Sequence, residues 1–284
     1  MKIAVIGLGL IGGSLAKDLK ERGFATYITG NDVDEKNAQD ALELGIVDTI
    51  STMELAVKGA ELVLVTVPVS AITALLPQIL NNIDSQTVVV DFGSTKEQIC
   101  QAVKTHPKRQ QYVAAHPIAG TEKSGPAAAV NNLFDNKTTI ICEKELSAAK
   151  ALQVAEVLFK TLNMNLMYME AREHDVHLAY VSHLPHVISF AMVNTVLEAE
   201  KDSQFLFRLA GSGFASLTRL AKSSPDMWAP IFTQNASHVS EAIDLYIAEL
   251  ELFKRLVNKK DATMLHRMLE RSNEVKNVTD ASRS

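Results

Sequence analysis

The chain has 284 residues, of which 47% are hydrophobic and 21% charged, and its formal net charge is −5. The length accommodates two domains, and an acidic balance without a long basic run argues against nucleic acid or an anionic membrane as partner. The longest apolar run, residues 62–69, is too short to span a bilayer, and the two cysteines lack metal-type spacing. We therefore expect a soluble, cytoplasmic protein with no membrane segment.

The first feature along the chain is an apolar segment, KIAVIG at residues 2–7, that runs directly into G-x-G-x-x-G. This pattern is typical of a strand that turns into a helix around a dinucleotide pyrophosphate. The first glycine permits the tight turn, the second lets the backbone approach the phosphates, and the third lets the helix pack closely on the strand. The predicted cofactor-binding residues of this loop are Gly7, Gly9, Leu10, Ile11 and Gly12.

A second strand is predicted at residues 26–31, after a helix at 14–22, and Asp32 follows it. Asp32 lies twenty residues after Gly12, where a carboxylate accepts hydrogen bonds from the adenosine ribose. The same charge repels a 2′-phosphate, so the expected cofactor is NAD rather than NADP, and Asp34 could share the role. The alternative is a secretory signal, since Lys2 is followed by apolar and then small residues.

Strand-like and helix-like segments continue to alternate up to residue 170. The predicted strands are 62–68, 87–93, 112–117, 138–143 and 165–170, and the predicted helices are 69–81, 94–105 and 147–161. This alternation is typical of a doubly wound, mainly parallel sheet, so we predict an α/β Rossmann domain over residues 1–170.

From residue 171 to 284 we predict an all-α domain. Its expected helices are 173–200, with a kink at Pro185, then 203–210, 214–222, 226–257 and 260–272, followed by a frayed end at 273–284. This half carries more apolar surface than it can bury alone. We therefore expect a homodimer formed through the helical domain.

Three polar clusters follow predicted strands, where ligands bind in open α/β sheets. Thr66 and Pro68 are expected to line the nicotinamide ribose. Ser94 is either a site residue or the N-cap of the next helix, with Glu97 completing a capping box. His116 ends a strand and is either structural or a base, because an NAD enzyme that oxidises an alcohol must remove the hydroxyl proton.

Five segments, in order, carry a family resemblance: GLGLIGGSLA, DFGSTK, HPIAGTEKSG, SHLPH and GFASLTRLAKSSPDMW. Over nearly its whole length the chain resembles the prephenate dehydrogenase family of tyrosine biosynthesis, which includes arogenate-specific enzymes. The resemblance implies a Rossmann domain, a helical dimerisation domain, and NAD-dependent oxidative decarboxylation of prephenate to 4-hydroxyphenylpyruvate. HPIAGTE and Asp32 favour prephenate, and conversion of arogenate to tyrosine is the alternative.

The resemblance also implies site roles. His116 deprotonates the substrate C4 hydroxyl, Ser94 orients that histidine and touches the hydroxyl or the nicotinamide, and Arg219 holds the ring carboxylate. The other substrate-binding residues that it implies are His183, Glu122, Thr121 and Trp228. Trp228 is an aromatic near the site that a partner subunit could contribute.

Several alternatives compete with this interpretation. Four histidines at 174, 177, 183 and 186 fall on one predicted helix, but no carboxylate or cysteine completes a ligand set, so no metal is expected. A related NAD-linked dehydrogenase or imine reductase would lack the HPIAGTE and SHLPH pair. A non-catalytic NAD-sensing protein would not need His116, Ser94 and Arg219 together. Residues 215–217 are less polar than the corresponding residues of relatives that carry charges there, so an ion pair at these positions is not expected. We also expect no chorismate mutase domain and no regulatory domain.

Overall fold

The structure, a computed structural model, describes residues 1–121, 123–203 and 205–276. In this part of the chain one sheet has eight strands in the order β3-β2-β1-β4-β5-β6-β7-β8, parallel except where β6 meets β7. The strands are β1 (Lys2–Ile6), β2 (Tyr27–Asn31), β3 (Thr49–Ile50), β4 (Leu62–Val65), β5 (Val88–Asp91), β6 (Tyr112–Pro117), β7 (Thr138–Cys142) and β8 (Asn165–Met169). The predicted mainly parallel Rossmann sheet is confirmed.

The register of the central strands aligns the chain segments that leave them. Ile6 of β1 pairs with Val65 of β4, and Val65 pairs with Asp91 of β5. These strands are buried apolar runs with helices on both faces. Because their carboxyl ends lie level, residues 7, 66 and 92 begin their loops at one edge of the sheet. The central position of β1 contradicts the secretory-signal alternative.

Among the described residues, six α-helices accompany the sheet: α1 (Leu10–Glu21), α2 (Glu35–Glu43), α3 (Met53–Val57), α4 (Val69–Asn82), α5 (Glu97–Val103) and α6 (Ala149–Thr161). Strand β3 and helices α2 and α3 were not predicted from the sequence. Strand β3 has only two residues and α3 only five, so neither carries enough periodic pattern to be recognised. Cys100 and Cys142 are buried and unpaired, as expected of small core residues.

Beyond β8 the described chain is helical. Its helices are α7 (Ala171–Leu178), α8 (Leu184–Ser203), α9 (Ser212–Thr218), α10 (Pro225–Gln234), α11 (Ala236–Lys259) and α12 (Ala262–Ser272). A π-helical turn, Ala179–His183, joins α7 to α8 just before Pro185, which cannot donate a backbone N–H. The predicted helix at 226–257 is wrong in one respect, because it divides at Asn235 into α10 and α11.

Contacts group the chain into two compact units, residues 1–236 and 237–284. Helices α7 to α10 therefore group with the sheet, and the boundary that we placed at residue 170 stays a prediction. The expected fraying of the C-terminus is untested from residue 277 onward, which lies outside the described residues. By length and composition alone, residues 171–201 are long and apolar enough to cross a membrane, contrary to the expectation that no segment of the chain is.

Candidate active site

The glycine loop between β1 and α1 leaves an uncapped helix N-terminus. Gly9 is the N-cap of α1, which has no side-chain cap and no acidic residue in its first turn. A Cβ on Gly9 would meet no atom within 4 Å, so the space in front of the helix is open. A Cβ on Gly12 would lie 2.0 Å from the Gly7 carbonyl oxygen. Free N–H groups at an open helix end suit a pyrophosphate, so this loop fits the predicted cofactor.

Two side chains hold the glycine loop in place. The Thr66 hydroxyl donates to the carbonyl oxygen of Gly7 at 2.6 Å, and Asp32 accepts the Leu8 N–H at 2.7 Å. Asp32 also accepts the Asp34 N–H at 2.9 Å, and each carboxylate oxygen keeps a lone pair for a ribose hydroxyl. Asp34 instead caps α2, so its shared role is not supported. Pro68 is the N-cap residue of α4, beside the same edge.

The loop after β5 is built on a buried ion pair. The Lys96 ammonium, fully buried, donates to Asp91 and to the carbonyl oxygen of Ala115, which precedes His116. Asp91 also accepts the Tyr112 hydroxyl at 2.7 Å. These contacts connect the end of β5 to the first residue of β6 and to Ala115, and so fix where His116 lies.

Ser94 does not cap α5. The helix begins at Glu97, and the carboxylate of Asp175 on α7 accepts the N–H groups of Lys96 and Glu97 at 2.8 and 2.9 Å. The capping-box alternative for Ser94 is therefore wrong. The half-buried Ser94 makes no hydrogen bond with the described residues, so its hydroxyl is available to a ligand.

His116 is the outer member of a chain of three side chains. Its Nδ1 lies 2.8 Å from Nε2 of His174, and Nδ1 of His174 lies 2.7 Å from Oδ1 of Asp175. His174 and Asp175 are fully buried, whereas His116 is half-buried. This geometry places His116 between a buried carboxylate and the outside of the protein.

The pKa values of this chain are shifted in the directions that burial and pairing predict. Desolvation, reinforced by His174 and by the Lys96 ammonium, lowers the pKa of His116 well below its usual value. Desolvation also lowers the pKa of His174, against the opposing effect of Asp175. Burial alone would raise the pKa of Asp175, but hydrogen bonds from His174 and two backbone N–H groups lower it. At neutral pH both histidines are therefore neutral and the carboxylate is charged.

His183 lies in the π-helical turn and is fixed by Asn235. The Asn235 amide nitrogen donates to the carbonyl oxygen of Asp175 at 2.7 Å and lies 3.1 Å from Nδ1 of His183. Burial lowers the pKa of His183 to about 4, so the ring is neutral at pH 7. Since Nδ1 accepts from the amide, the ring proton lies on Nε2, which is a donor.

An aromatic stack adjoins His183. The Trp228 ring stacks on His186 with centroids 3.4 Å apart, and it meets His183 edge-on at 6.1 Å. Trp228 is 7% exposed, and its indole N–H has no partner among the described residues. The structure thus brings Trp228 next to His183 within one chain.

The remaining predicted residues are less tightly placed. Arg219 is exposed on the turn after α9, close enough to lower the pKa of His186, although burial is the larger cause of that shift. No anionic side chain pairs with Arg219 in the part of the chain that the structure describes. Thr121 is exposed, and its hydroxyl accepts the N–H of Lys123. Glu122 lies outside the described residues.

His174, Asp175 and Asn235 form one arrangement that was not predicted from the sequence. From the sequence, His174 was a candidate only for metal binding, whereas the structure pairs it with His116 and Asp175. A signal was present, because the buried face of α7 has the spacing 171, 174, 175, 178 and two of these residues are polar. Polar side chains on the buried stripe of a helix need partners, and function often supplies the reason for them.

A glycine loop with a free helix end, next to a neutral histidine at the carboxyl edge of a parallel sheet, defines a nucleotide-dependent oxidoreductase. Residues 15–168 match the model described as "Prephenate dehydrogenase, nucleotide-binding domain". Residues 170–271 match "Prephenate dehydrogenase, dimerization domain". The chain belongs to the prephenate dehydrogenase family.

Individual relatives agree with the family models. The chain is 33% identical to the prephenate dehydrogenase of Bacillus subtilis over 268 residues, which are 93% of this chain and 72% of that protein. The crystal structure of prephenate dehydrogenase from A. aeolicus with hydroxyphenyl propionate and NAD+ superposes with a TM-score of 0.89 at 30% identity, covering 98% of each chain. Synechocystis arogenate dehydrogenase gives 0.78 at 28% identity over 98% of this chain and 100% of that one.

Proposed function

We propose that the protein is a prephenate dehydrogenase that oxidatively decarboxylates prephenate to 4-hydroxyphenylpyruvate with NAD. The observation that carries this proposal is His116, neutral and hydrogen-bonded through Nδ1, at the same sheet edge as the open glycine loop. The family and its relatives support the substrate, and Asp32 supports NAD over NADP. Arogenate is the alternative substrate, because an arogenate dehydrogenase is also a structural neighbour.

The cofactor would be held by the α1 N-terminus at Gly9, Leu10, Ile11 and Gly12, by Asp32 at the ribose, and by Thr66, Pro68 and Ser94 near the nicotinamide. Gly7 shapes the turn, with a φ of 99° that favours glycine. Bound NAD supplies the acceptor for the hydride that leaves C4 of the substrate. The residues of this chain provide the rest of the chemistry, which is orientation, a base and recognition of carboxylates.

In the reaction His116 Nε2 accepts the hydrogen bond of the C4 hydroxyl and draws its proton as the C4 hydride leaves. The electron pair of the bond to the ring carboxylate moves into the ring as CO₂ departs, and the ring becomes aromatic. His116 returns the proton to the phenolic oxygen once the ring is aromatic, so the protein neither gains nor loses a proton over the whole reaction. Ser94 orients the hydroxyl, and aromatisation drives the step forward.

Substrate recognition is assigned to the residues around α8. Arg219 provides a planar guanidinium for the ring carboxylate. His183 donates from Nε2, and Trp228 offers an indole N–H without a partner among the described residues. The family resemblance assigns Thr121 and Glu122 to substrate binding as well. These assignments are compatible with a substrate that carries two carboxylates.

We further propose a cytoplasmic homodimer that pairs through its helical part, residues 171–284. The family model for this part is a dimerisation domain. Residues 171–201 are apolar, and only 22% of their most apolar 18-residue window is buried within the chain. An exposed apolar surface of this kind fits a subunit interface. The polar chain of His174 and Asp175 near the start of this segment argues against a lipid-spanning role.

The experiment that tests the function is an initial-rate assay of NADH or NADPH formation with each pairing of prephenate or arogenate and NAD or NADP. We expect fast turnover with prephenate and NAD. Turnover with arogenate but not with prephenate would support the same mechanism and contradict the assignment of prephenate as the substrate. No reduction with any pair would overturn the function.

The base assignment has its own test, the substitution His116→Asn. General bases contribute about 10²–10⁴-fold, so we expect kcat to fall by about that factor while the Kd of NAD changes little. His106→Asn is the control, at a half-buried histidine that follows α5 and contacts Asn81 rather than any predicted site residue. Near-normal turnover of His116→Asn would remove His116 from this role.

A further inference from the structure

The hydrogen-bonded series His116, His174 and Asp175 admits one consistent arrangement of protons, which is set by Asp175. This carboxylate accepts the backbone N–H groups of Lys96 and Glu97 at the N-terminus of α5. A carboxylate that accepts two backbone N–H groups at a helix N-terminus is held in its charged form. Asp175 therefore has no proton to donate and acts only as an acceptor.

The charge on Asp175 decides the proton position of His174. Nδ1 of His174, 2.7 Å from Oδ1, must be the donor, since an unprotonated ring nitrogen at that distance would oppose its lone pair to a carboxylate oxygen. His174 is fully buried, and its pKa is lowered by that burial, so the ring is neutral. A neutral ring with its proton on Nδ1 presents a lone pair at Nε2.

That lone pair in turn decides the tautomer of His116. Nδ1 of His116 lies 2.8 Å from Nε2 of His174, so it must carry the proton that makes this hydrogen bond. The neutral His116 ring then has an unprotonated Nε2, and Nε2 has no partner among the described residues. A free imidazole in water is not restricted to this tautomer, so the restriction comes from the chain of contacts.

We propose that His174 and Asp175 are positioning residues, which hold His116 in the tautomer whose Nε2 is free to accept the proton of the substrate hydroxyl. The proposal rests on the proposed function for the identity of that hydroxyl, but the tautomer itself is a property of the protein alone. It also explains why Asp175 caps α5 from a separate helix. The cap fixes the carboxylate in both position and charge before any substrate binds.

The charged and titratable groups that face His116 are consistent with this arrangement. His174 contacts the ring through Nδ1, and the buried Lys96 ammonium and His183 both act on it electrostatically to lower its pKa. Lys96 disfavours a second positive charge, whereas Asp175 stabilises the cation that forms when Nε2 takes the proton. Asp175 acts through His174, in the manner of a carboxylate that orients a catalytic histidine.

The test is nitrogen NMR of the ¹⁵N-histidine-labelled full chain with NAD bound and no substrate. Long-range proton–nitrogen correlations distinguish protonated from unprotonated ring nitrogens. For the wild type we expect His116 to show a protonated Nδ1 and an unprotonated Nε2. In His174→Phe we expect this preference to be lost, and in the control His177→Phe, at an exposed position of the same helix, to be kept.

Kinetics supply the second readout. We expect His174→Phe to lower kcat by about 10²-fold with the KM of NAD changed less than about twofold, as for loss of a base's orientation. A proton on Nε2 of His116 in the wild type, which requires no variant to fold, would overturn the proposal. So would an unchanged His116 tautomer in a folded His174→Phe. If no substrate is turned over, the NMR result still decides the proposal, and only the proposed function fails.

Discussion

Arg219 is an exposed cation with no anionic partner among the described residues, which is how a carboxylate-binding residue is arranged before its ligand arrives. A hydrogen bond to a charged group contributes about 1.5–3 kcal/mol. We therefore expect Arg219→Ala to raise the KM of the substrate by about 10–150-fold and to leave the KM of NAD unchanged. Initial rates at varied substrate check this, with Lys222→Ala on the same turn as the matched control. An unchanged substrate KM would remove Arg219 from the site.

The lowered pKa of His183 makes the free energy of unfolding depend on pH in the acidic range. Its folded pKa of about 4 lies below the ordinary value of about 6.5 for an unfolded chain. Between these values the unfolded state binds a proton that the folded state does not, so stability falls as the pH drops from about 6.5 to 4. The loss attributable to this residue is about 2–3 kcal/mol at pH 4.5, at about 1.4 kcal/mol per pKa unit.

Urea unfolding at pH 7 and pH 4.5 measures this effect. We expect the free energy of unfolding to fall less between these pH values in His183→Asn than in the wild type, because the variant lacks this proton uptake. Changes at other groups are common to both proteins and cancel in the comparison. Equal losses in the two proteins would show that His183 is not neutral in the folded state.

At the scale of elements, two glycines of the β1–α1 turn are expected to have different roles. Gly12 is expected to be required for the fold to pack, and Gly9 for the cofactor to bind. Alanine at Gly12 would place its Cβ 2.0 Å from the Gly7 carbonyl oxygen, whereas alanine at Gly9 meets nothing within 4 Å. Overpacking costs about 1–3 kcal/mol. We expect Gly12→Ala to lower Tm by several degrees and Gly9→Ala to leave Tm unchanged.

Binding of NAD should show the complementary result for the same pair. In Gly9→Ala the added methyl group enters the space predicted for the pyrophosphate, so we expect the Kd of NAD to rise at least about tenfold. Thermal unfolding and calorimetric titration provide the two measurements. Tight NAD binding by a stable Gly9→Ala protein would contradict the assignment of this loop.

At the scale of the whole molecule, exposed apolar residues on α11 predict self-association. Leu250, Phe253 and Val257 follow a helical spacing on one face and are 50%, 38% and 51% exposed. Burying such a side chain contributes about 1.5–3 kcal/mol. We expect the wild type to sediment as a dimer, and Leu250→Lys combined with Val257→Lys to give monomers at micromolar concentration.

The matched control exchanges charges on another face of α11, Glu251→Lys with Arg255→Glu, and should stay dimeric. Analytical ultracentrifugation compares the three proteins. A monomeric wild type, or a dimer that survives both lysine substitutions, would remove this face of α11 from the interface.

The sequence by itself determined the elements whose signals are local. The glycine loop, Asp32 after β2 and the apolar strands β4 and β5 are each defined within a few neighbouring residues, so the Rossmann sheet and its cofactor edge could be predicted. The resemblance carried in HPIAGTE and SHLPH gave the family in the same way. Strand β3 and helix α3 were missed because they are too short to show a period.

Only the tertiary structure decided how the polar residues pair. His116 and His174 are 58 positions apart, and Asp175 caps α5 from 78 positions away, so no local pattern specifies either contact. For the same reason, the predicted cap of α5 was Ser94 and the observed cap is Asp175. The free N–H groups of a helix N-terminus can be satisfied by any carboxylate that tertiary packing places next to them. The sequence therefore identified the histidine that we propose as the base. The packing of α7 determined which nitrogen of that histidine has a hydrogen-bond partner and which does not.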